Sequence, residues 1–465
     1  MPAPAAIALG LATAQLIVVP DTPLMAVALP SIQHSLSLSA TSLQWVLTAP
    51  TLAFGGFLVA GGRAGDIYGC RRVYLACMTA FAGSSLAASA ANTGALLIAA
   101  RAVEGVSGAG AAPTALALLI RSAPCGSARQ ETLALNGVLV ACGIVAGWVI
   151  GGALTTWLGW RFVLLVNVPI AGILVAFEFS ELPEASREDG IRSIDLAGAA
   201  SLTTAFLCLI FATALVGIHH DVRQPVLGLL CGFGLLLVLF VIIERRAVVP
   251  LVPGRLLANP AVAATATMQF LSSSVTAGVL ITVTLYLQHT LGYSPLHAGV
   301  IFLVPGVGFI LGGLLAMHTV RISLRGRQGG GIALQLAGTA MLWTVGKAHP
   351  IGPILLGLWF VGFGTMVSLV ASTTAITSVV ADGDLGLAAG LVNTAVELGS
   401  AFGIALLVAL ATTSGSAIRG RHGVGASITP GSLSHAMVGA VSIMVIASML
   451  SLVARLRLSP STDRH

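Results

Sequence analysis

Charge is scarce in this sequence: 22 basic and 16 acidic side chains in 465 residues, 8% of the chain. A soluble fold of this length would have almost no polar surface with which to cover itself. Lysine is reduced to Lys347, and the arginines are dispersed without a basic stripe or interleaved aromatics. The net charge of +6 is therefore a poor signal for nucleic-acid binding. The six cysteines (Cys70, Cys77, Cys125, Cys142, Cys208 and Cys231) show no CxxC spacing, and most fall within apolar stretches. That argues against a disulfide framework and against a zinc site. The glycine-rich stretches Gly108–Gly110 and Gly329–Gly331 lack the Lys-Ser/Thr of a phosphate-binding loop, so an ATP-driven pump is disfavoured. The ten histidines cluster nowhere, and solvated loop positions are the expectation for His219, His220, His289 and His297.

What the chain has instead is apolar length. About fourteen stretches of roughly 18–25 residues lie between Ala5 and Leu458, each long enough to cross a ~30 Å hydrocarbon layer at 1.5 Å per residue. Helices are expected near 5–29, 41–62, 73–92, 95–120, 132–155, 161–181, 195–217, 225–244, 261–287, 296–317, 329–346, 352–379, 386–411 and 433–455. The first stretch has no basic leader or small-residue cleavage site and reads as a span. With both termini cytoplasmic, five basic residues (Arg161, Arg223, Lys347, Arg419, Arg421) fall outside, Arg101 lies within a span, and the other sixteen fall inside. This asymmetry is the one that the positive-inside rule demands.

Loops are short, so no sizeable soluble domain is expected. Helices seven and eight carry no ionisable residue in their interiors, which divides the chain into an N-terminal six-helix half (1–181), a linker with a peripheral two-helix insert (182–260) and a C-terminal six-helix half (261–465). A weak internal repeat supports the division: the stretch Pro50 to Gly62 in helix two resembles Pro305 to Gly313 in helix ten. Paired six-helix halves around a central site are a recurrent plan of secondary transporters.

Four ionisable residues lie well inside spans: Asp21, Arg101, Glu104 and Glu397. Each costs roughly 2.5–3.5 kcal/mol at the bilayer centre and so needs a partner, water or a task. Counted along the helices, Asp21 lies ~13 Å below the outer face, and Arg101 and Glu104 lie ~9 and ~13 Å below it, in one shared layer. Arg101 and Glu104 are three apart on one helix face. The cluster either locks helices one and four together or exchanges a proton, with Asp21 the leading carboxylate. Glu397, near the midplane in helix thirteen, reads as a cation contact, a second proton site or a carboxylic acid kept protonated.

Several motifs resemble one family. The turn after helix two reads Gly62-Arg-Ala-Gly-Asp66-Ile-Tyr-Gly69-Cys-Arg71-Arg72. Its glycines allow a tight turn, Asp66 can cap a helix start, and the arginines hold the cytoplasmic side. Helix one ends Asp21-Thr-Pro-Leu-Met-Ala-Val-Ala-Leu-Pro30, helix four carries Arg101-Ala-Val-Glu104-Gly105, and helix five carries Gly143, Gly147, Trp148, Gly151 and Gly152. Together these look like the fourteen-helix drug:proton antiporter branch of the major facilitator superfamily. Ile67 and Cys70 stand where the family has Arg, Glu104 where it has Gln, and Trp148 where it has Pro; Pro23 and Ala26 replace Thr and Asn.

The resemblance implies an all-α membrane protein with two six-helix bundles and two extra central helices, both termini inside a bacterial inner membrane. It implies proton-driven export of apolar or amphipathic small molecules, with the proton gradient in place of any cofactor, no metal and no enzymatic activity. A monomer is expected. The alternatives are a dedicated exporter of a host-made metabolite, including self-resistance to an antibiotic, or a polytopic membrane sensor or enzyme.

Overall fold

The computed structural model describes residues 21–122, 127–181, 196–216, 223–247, 250, 254, 258–318, 324–345, 351–377, 385–413 and 430–457. The start of helix one and most of the loops expected at 183–193 and 415–432 lie outside these residues. The described chain is helical, and its helices follow the fourteen expected spans in order. They are α1 (Asp21–Ala26 and Leu29–Leu36), α2 (Ala40–Tyr68), α3 (Cys70–Ser89), α4 (Gly94–Ser122), α5 (Ser127–Trp157), α6 (Trp160–Leu165 and Asn167–Glu181) and α7 (Leu196–Val216). Then come α8 (Arg223–Arg246), α9 (Pro260–His289), α10 (Pro295–Ile301 and Leu303–His318), α11 (Leu324–Val345), α12 (Ile351–Thr377), α13 (Leu385–Thr413) and α14 (Pro430–Arg457). Among the described residues, eight helices are by themselves long and apolar enough to cross a membrane, and the apolar parts of α5, α6 and α7 are shorter.

The interrupted helices share a cause. Pro30, Pro169 and Pro305 each follow a break by two or three residues, because a proline ring carries no N–H and clashes with the preceding turn. Apolar side chains face outward as well as inward: Leu235 is 70% exposed and Ile173 68%, as suits a surface wetted by lipid.

Two expectations need correction. Helix two does not end at 62 in a loop. It runs on to Tyr68, and the turn is Gly69 alone, at φ +92°, before α3 begins at Cys70. Only glycine adopts that backbone angle without strain, so a single residue reverses the chain. Asp66 therefore sits in the last turn of α2, while Arg71 and Arg72 open α3. The second correction concerns the insert. Only α8 is peripheral; α7 packs against α2 and α13, with Ala199, Ala205 and Ala212 buried. Small side chains permit this approach: Gly56 of α2 faces Thr203 of α7 with no room for a Cβ.

Glycine contacts expose a repeat deeper than the sequence suggested. The carbonyl of Pro50 in α2 lies against Gly105 of α4, and the carbonyl of Pro305 in α10 lies against Gly362 of α12. Likewise the Leu24 carbonyl of α1 meets Gly151 of α5, and the Ser274 carbonyl of α9 meets Gly403 of α13. Each pair brings two helix backbones into contact at a point where any side chain would force them apart. Helices α1–α6 and α9–α14 thus repeat one packing scheme. Where the two sets meet, α2 packs along α13 and α5 along α10.

Candidate functional site

The charged cluster in the first half begins with a proline. Pro50 cannot donate to the carbonyl of Val46, four residues earlier, so α2 carries a free acceptor in mid-span. Arg101 of α4 fills it, donating from Nε to the Val46 oxygen at 3.2 Å. Gly105, one turn further along α4, lets the two helices come close enough for that bond. Arg101 is fully buried and donates from Nη1 to Asp21 Oδ2 at 2.5 Å and to Glu104 Oε2 at 2.6 Å. Two carboxylates therefore share one nitrogen of one cation.

Further partners complete the network. Ser85 of α3 donates to the other Glu104 oxygen. Asn167 of α6 donates from Nδ2 to Asp21 Oδ1 at 3.3 Å. The break that Pro169 imposes on α6 leaves Asn167 as the first residue of the new segment, which aims it at α1. Arg101 Nη2 is buried without a hydrogen-bond partner, so the guanidinium keeps unspent donor capacity inside the site. Charges this deep are stable only when paired, and breaking one pair strands the others.

Of the residues expected to share this site, Asp21, Arg101 and Glu104 do meet. They lie in one layer as the rise per residue predicts, although α1 continues to Leu36 rather than stopping near 29. Val46, Ser85 and Asn167 were missed. Asn167 had a signal in the sequence, a polar residue two before a proline inside an apolar span; Ser85 had none.

The corresponding helices of the second half hold a neutral network instead. Gln335 of α11 donates to Ser272 of α9 at 2.8 Å and to Thr365 of α12 at 2.7 Å, and Thr365 lies 2.7 Å from Thr276. Glu397 is not part of it. It projects from α13 toward Gly55 of α2, its Cβ 2.7 Å from where a Gly55 Cβ would stand.

The structure places the five positions named for α5 packing as follows. Gly143 and Gly147 are buried, and Gly151 sits on the Leu24 carbonyl. Gly152 meets the Pro295 carbonyl of α10, 2.6 Å from a Cβ position. Trp148 stacks on Phe302 of α10 with ring centroids 4.1 Å apart, while its own carbonyl meets Gly299. Bonds across the halves reinforce this end: Leu296 N donates to Thr156 Oγ1 at 3.1 Å, and Gln288 Nε2 of α9 donates to Val27 O of α1 at 3.0 Å. Near the end of α2, Gly62 packs beside Pro113 of α4, and Arg63 donates to the Pro250 carbonyl of the linker before α9 at 2.6 Å. No group of metal-ligating side chains occurs among the described residues.

Two repeated helical bundles, joined along two seams and enclosing a buried charge network, define a polytopic membrane protein of the secondary-transporter type. Residues 11–404 match the Major Facilitator Superfamily, and the chain belongs to that family. It is 33% identical to a puromycin resistance protein of Streptomyces alboniger, over 95% of this chain and 89% of that one. It is 35% identical to a cephamycin export protein of Amycolatopsis lactamdurans, over 95% and 92%. A tetracenomycin C resistance and export protein of Streptomyces glaucescens is 30% identical over 86% and 74%. Among solved structures, a bacterial homolog of the human lysosomal transporter Spinster shares the fold, with a TM-score of 0.68 at 17% identity over 99% of this chain and 100% of that one.

Proposed function

We propose that this protein is a proton-coupled exporter of apolar or amphipathic small molecules, set in the bacterial plasma membrane with both termini in the cytoplasm. The observation that carries the coupling is the sharing of Arg101 Nη1 by Asp21 and Glu104. One cation facing two carboxylates leaves a surplus negative charge, and a proton is the smallest partner that can neutralise it. Protonating Asp21 weakens its hold on Arg101 and frees α1 from α4, while Glu104 keeps Arg101 paired. The site can thus pass between two states without ever stranding the arginine. Helices 1–6 would rock against 9–14 about the α2–α13 and α5–α10 seams, with α7 riding on the first seam and α8 outside it. Cargo would occupy the space between the halves, and neither a cofactor nor an enzymatic step is needed.

The resistance and export proteins among the relatives support the outward direction. They also favour a second reading, export of one compound made by the host, since each is named for a single antibiotic. Transport into everted membrane vesicles against a panel of compounds, with and without a pH gradient, tests both. Gradient-dependent uptake of many compounds supports a drug pump; uptake of one alone supports the dedicated exporter. Uptake indifferent to the gradient would end the proton-coupled reading.

A further inference from the structure

A proton arriving at Asp21 needs a hydrogen-bond acceptor, and the carboxylate is surrounded by donors. Its Oδ2 accepts from Arg101 Nη1 at 2.5 Å, and its Oδ1 accepts from Asn167 Nδ2 at 3.3 Å. That arrangement suits the ionised form. Protonation turns one oxygen into a donor, and an O–H aimed at an N–H bonds to nothing. A guanidinium has N–H donors and no acceptor, so Arg101 can never take up this hydrogen bond. A primary amide can. Its nitrogen donates, its oxygen accepts, and half a turn about the Cβ–Cγ bond exchanges the two.

The helices packed around Asp21 offer no other acceptor among the described residues. From α4 come Arg101 and, on its far side, Glu104, whose oxygens are taken by Arg101 and by Ser85 of α3. From α2 comes the Val46 carbonyl, which already accepts from Arg101 Nε at 3.2 Å. Neither α2 nor α5 carries an ionisable side chain at this level. Arg161, at the start of α6, is a donor too, and it is bonded to the Ala91 carbonyl at 3.1 Å. Asp21 and Asn167 are both buried, which keeps bulk water from standing in. The proton's hydrogen bond therefore falls to Oδ1 and to the side chain facing it.

We infer that Asn167 is the positioning residue for proton exchange at Asp21. The ionised carboxylate accepts from Asn167 Nδ2. The protonated acid carries its hydrogen on Oδ1 and donates it to the Asn167 oxygen after the amide turns. One O–H bond forms, with the proton taken from the aqueous phase, and the carboxylate loses its charge. Oδ2 is then a neutral carbonyl oxygen, which Arg101 holds less tightly than an anion. The new O–H bond meanwhile ties Asp21 to α6. Protonation thus passes α1 from the grip of α4 to that of α6. This rests on the proton-coupled reading and adds to it the residue that serves both protonation states.

The test is infrared difference spectroscopy of the purified full-length protein in lipid, recorded as the pH is lowered. Wild type, Asp21→Asn, Asn167→Leu and Asn167→Gln are compared, each checked for folding by gel filtration. Leu keeps the size of the side chain without donor or acceptor, and Gln keeps the amide. Acidification should raise a carboxylic C=O band that Asp21→Asn lacks. Donation of the O–H lowers the frequency of such a band, so it should move up in Asn167→Leu and stay in place in Asn167→Gln. The pH profile of cargo exchange should change in Leu and be kept in Gln. A second measurement needs no variant at residue 167. In wild type with 13C in the asparagine side-chain carbonyls, acidification should lower the frequency of one amide band, because its oxygen gains an O–H donor. An unmoved carboxylic band in Asn167→Leu, an equal shift in Asn167→Gln, or no amide change in labelled wild type overturns the inference while leaving Asp21 the proton carrier. Absence of any Asp21-dependent band would sink the proton-coupled reading itself, and the inference with it.

Discussion

Replacing Asp21 by Asn removes an ionisable carboxylate while leaving the network almost intact. The substituted side chain keeps an oxygen that accepts from Arg101 Nη1, as Asp21 Oδ2 does at 2.5 Å. Its new amide then confronts the Asn167 amide, which in the native protein donates to Asp21 Oδ1 at 3.3 Å. Rotating the Asn167 amide by half a turn converts that clash into a hydrogen bond. Arg101 retains Glu104 at 2.6 Å as its full counter-charge. The expected loss of stability is therefore about one hydrogen bond's worth, ~1 kcal/mol, far below the 3–5 kcal/mol of a broken buried pair. Coupling should be affected far more. A proton crossing 100 mV yields ~2.3 kcal/mol, enough for roughly fifty-fold accumulation. In everted vesicles Asp21→Asn should exchange cargo down its gradient yet accumulate none, and its rate should lose the pH dependence of wild type. Accumulation at the wild-type level with the same pH profile would refute the reasoning and pass the role to Glu104 or Glu397.

Other outcomes follow from the same geometry. Arg101→Ala should cost roughly 3–5 kcal/mol in a reversible unfolding assay, because it strands Asp21 and Glu104; adding Asp21→Asn and Glu104→Gln should recover part of the loss, and an unaltered midpoint for the single variant would contradict the network. Gly105→Ala and Gly362→Ala put a methyl against the Pro50 and Pro305 carbonyls, so each should lower thermal stability, by roughly 1–3 kcal/mol. A loss confined to one of the two would count against the repeat. Pro50→Ala restores an N–H for the Val46 carbonyl and displaces Arg101 Nε from it, so transport should fall while folding holds; normal transport would show that this anchor is dispensable. Reporter fusions after Arg72, Arg192 and Arg327 should face the cytoplasm, and fusions near His220 and Gly423 the outside; Gly423 and His465 on the same side would break the span count.

Composition alone determined that the chain lives in lipid, because 8% charge cannot cover a soluble fold and the apolar stretches match the bilayer's thickness. Helix order, the two-half plan and the shared layer of Asp21, Arg101 and Glu104 were also legible. These depend on local quantities: run length, loop charge and rise per residue. The end of α2 was misread because a polar, arginine-bearing stretch can be loop or helix, and only the backbone angle of Gly69 settles which. Helix α7 was misplaced because an apolar helix looks the same facing lipid or facing protein.

Tertiary structure decided everything that depends on which faces meet. It brought Ser85 and Asn167 to the carboxylates across 19 and 146 residues of sequence, separations no motif spans. It matched Arg101 to the one carbonyl that Pro50 had freed. It also made Gly151 of α5 the counterpart of Gly403 of α13, since equivalence between helices is defined by the backbones they touch, and those contacts form only when the helices of each half fold against one another.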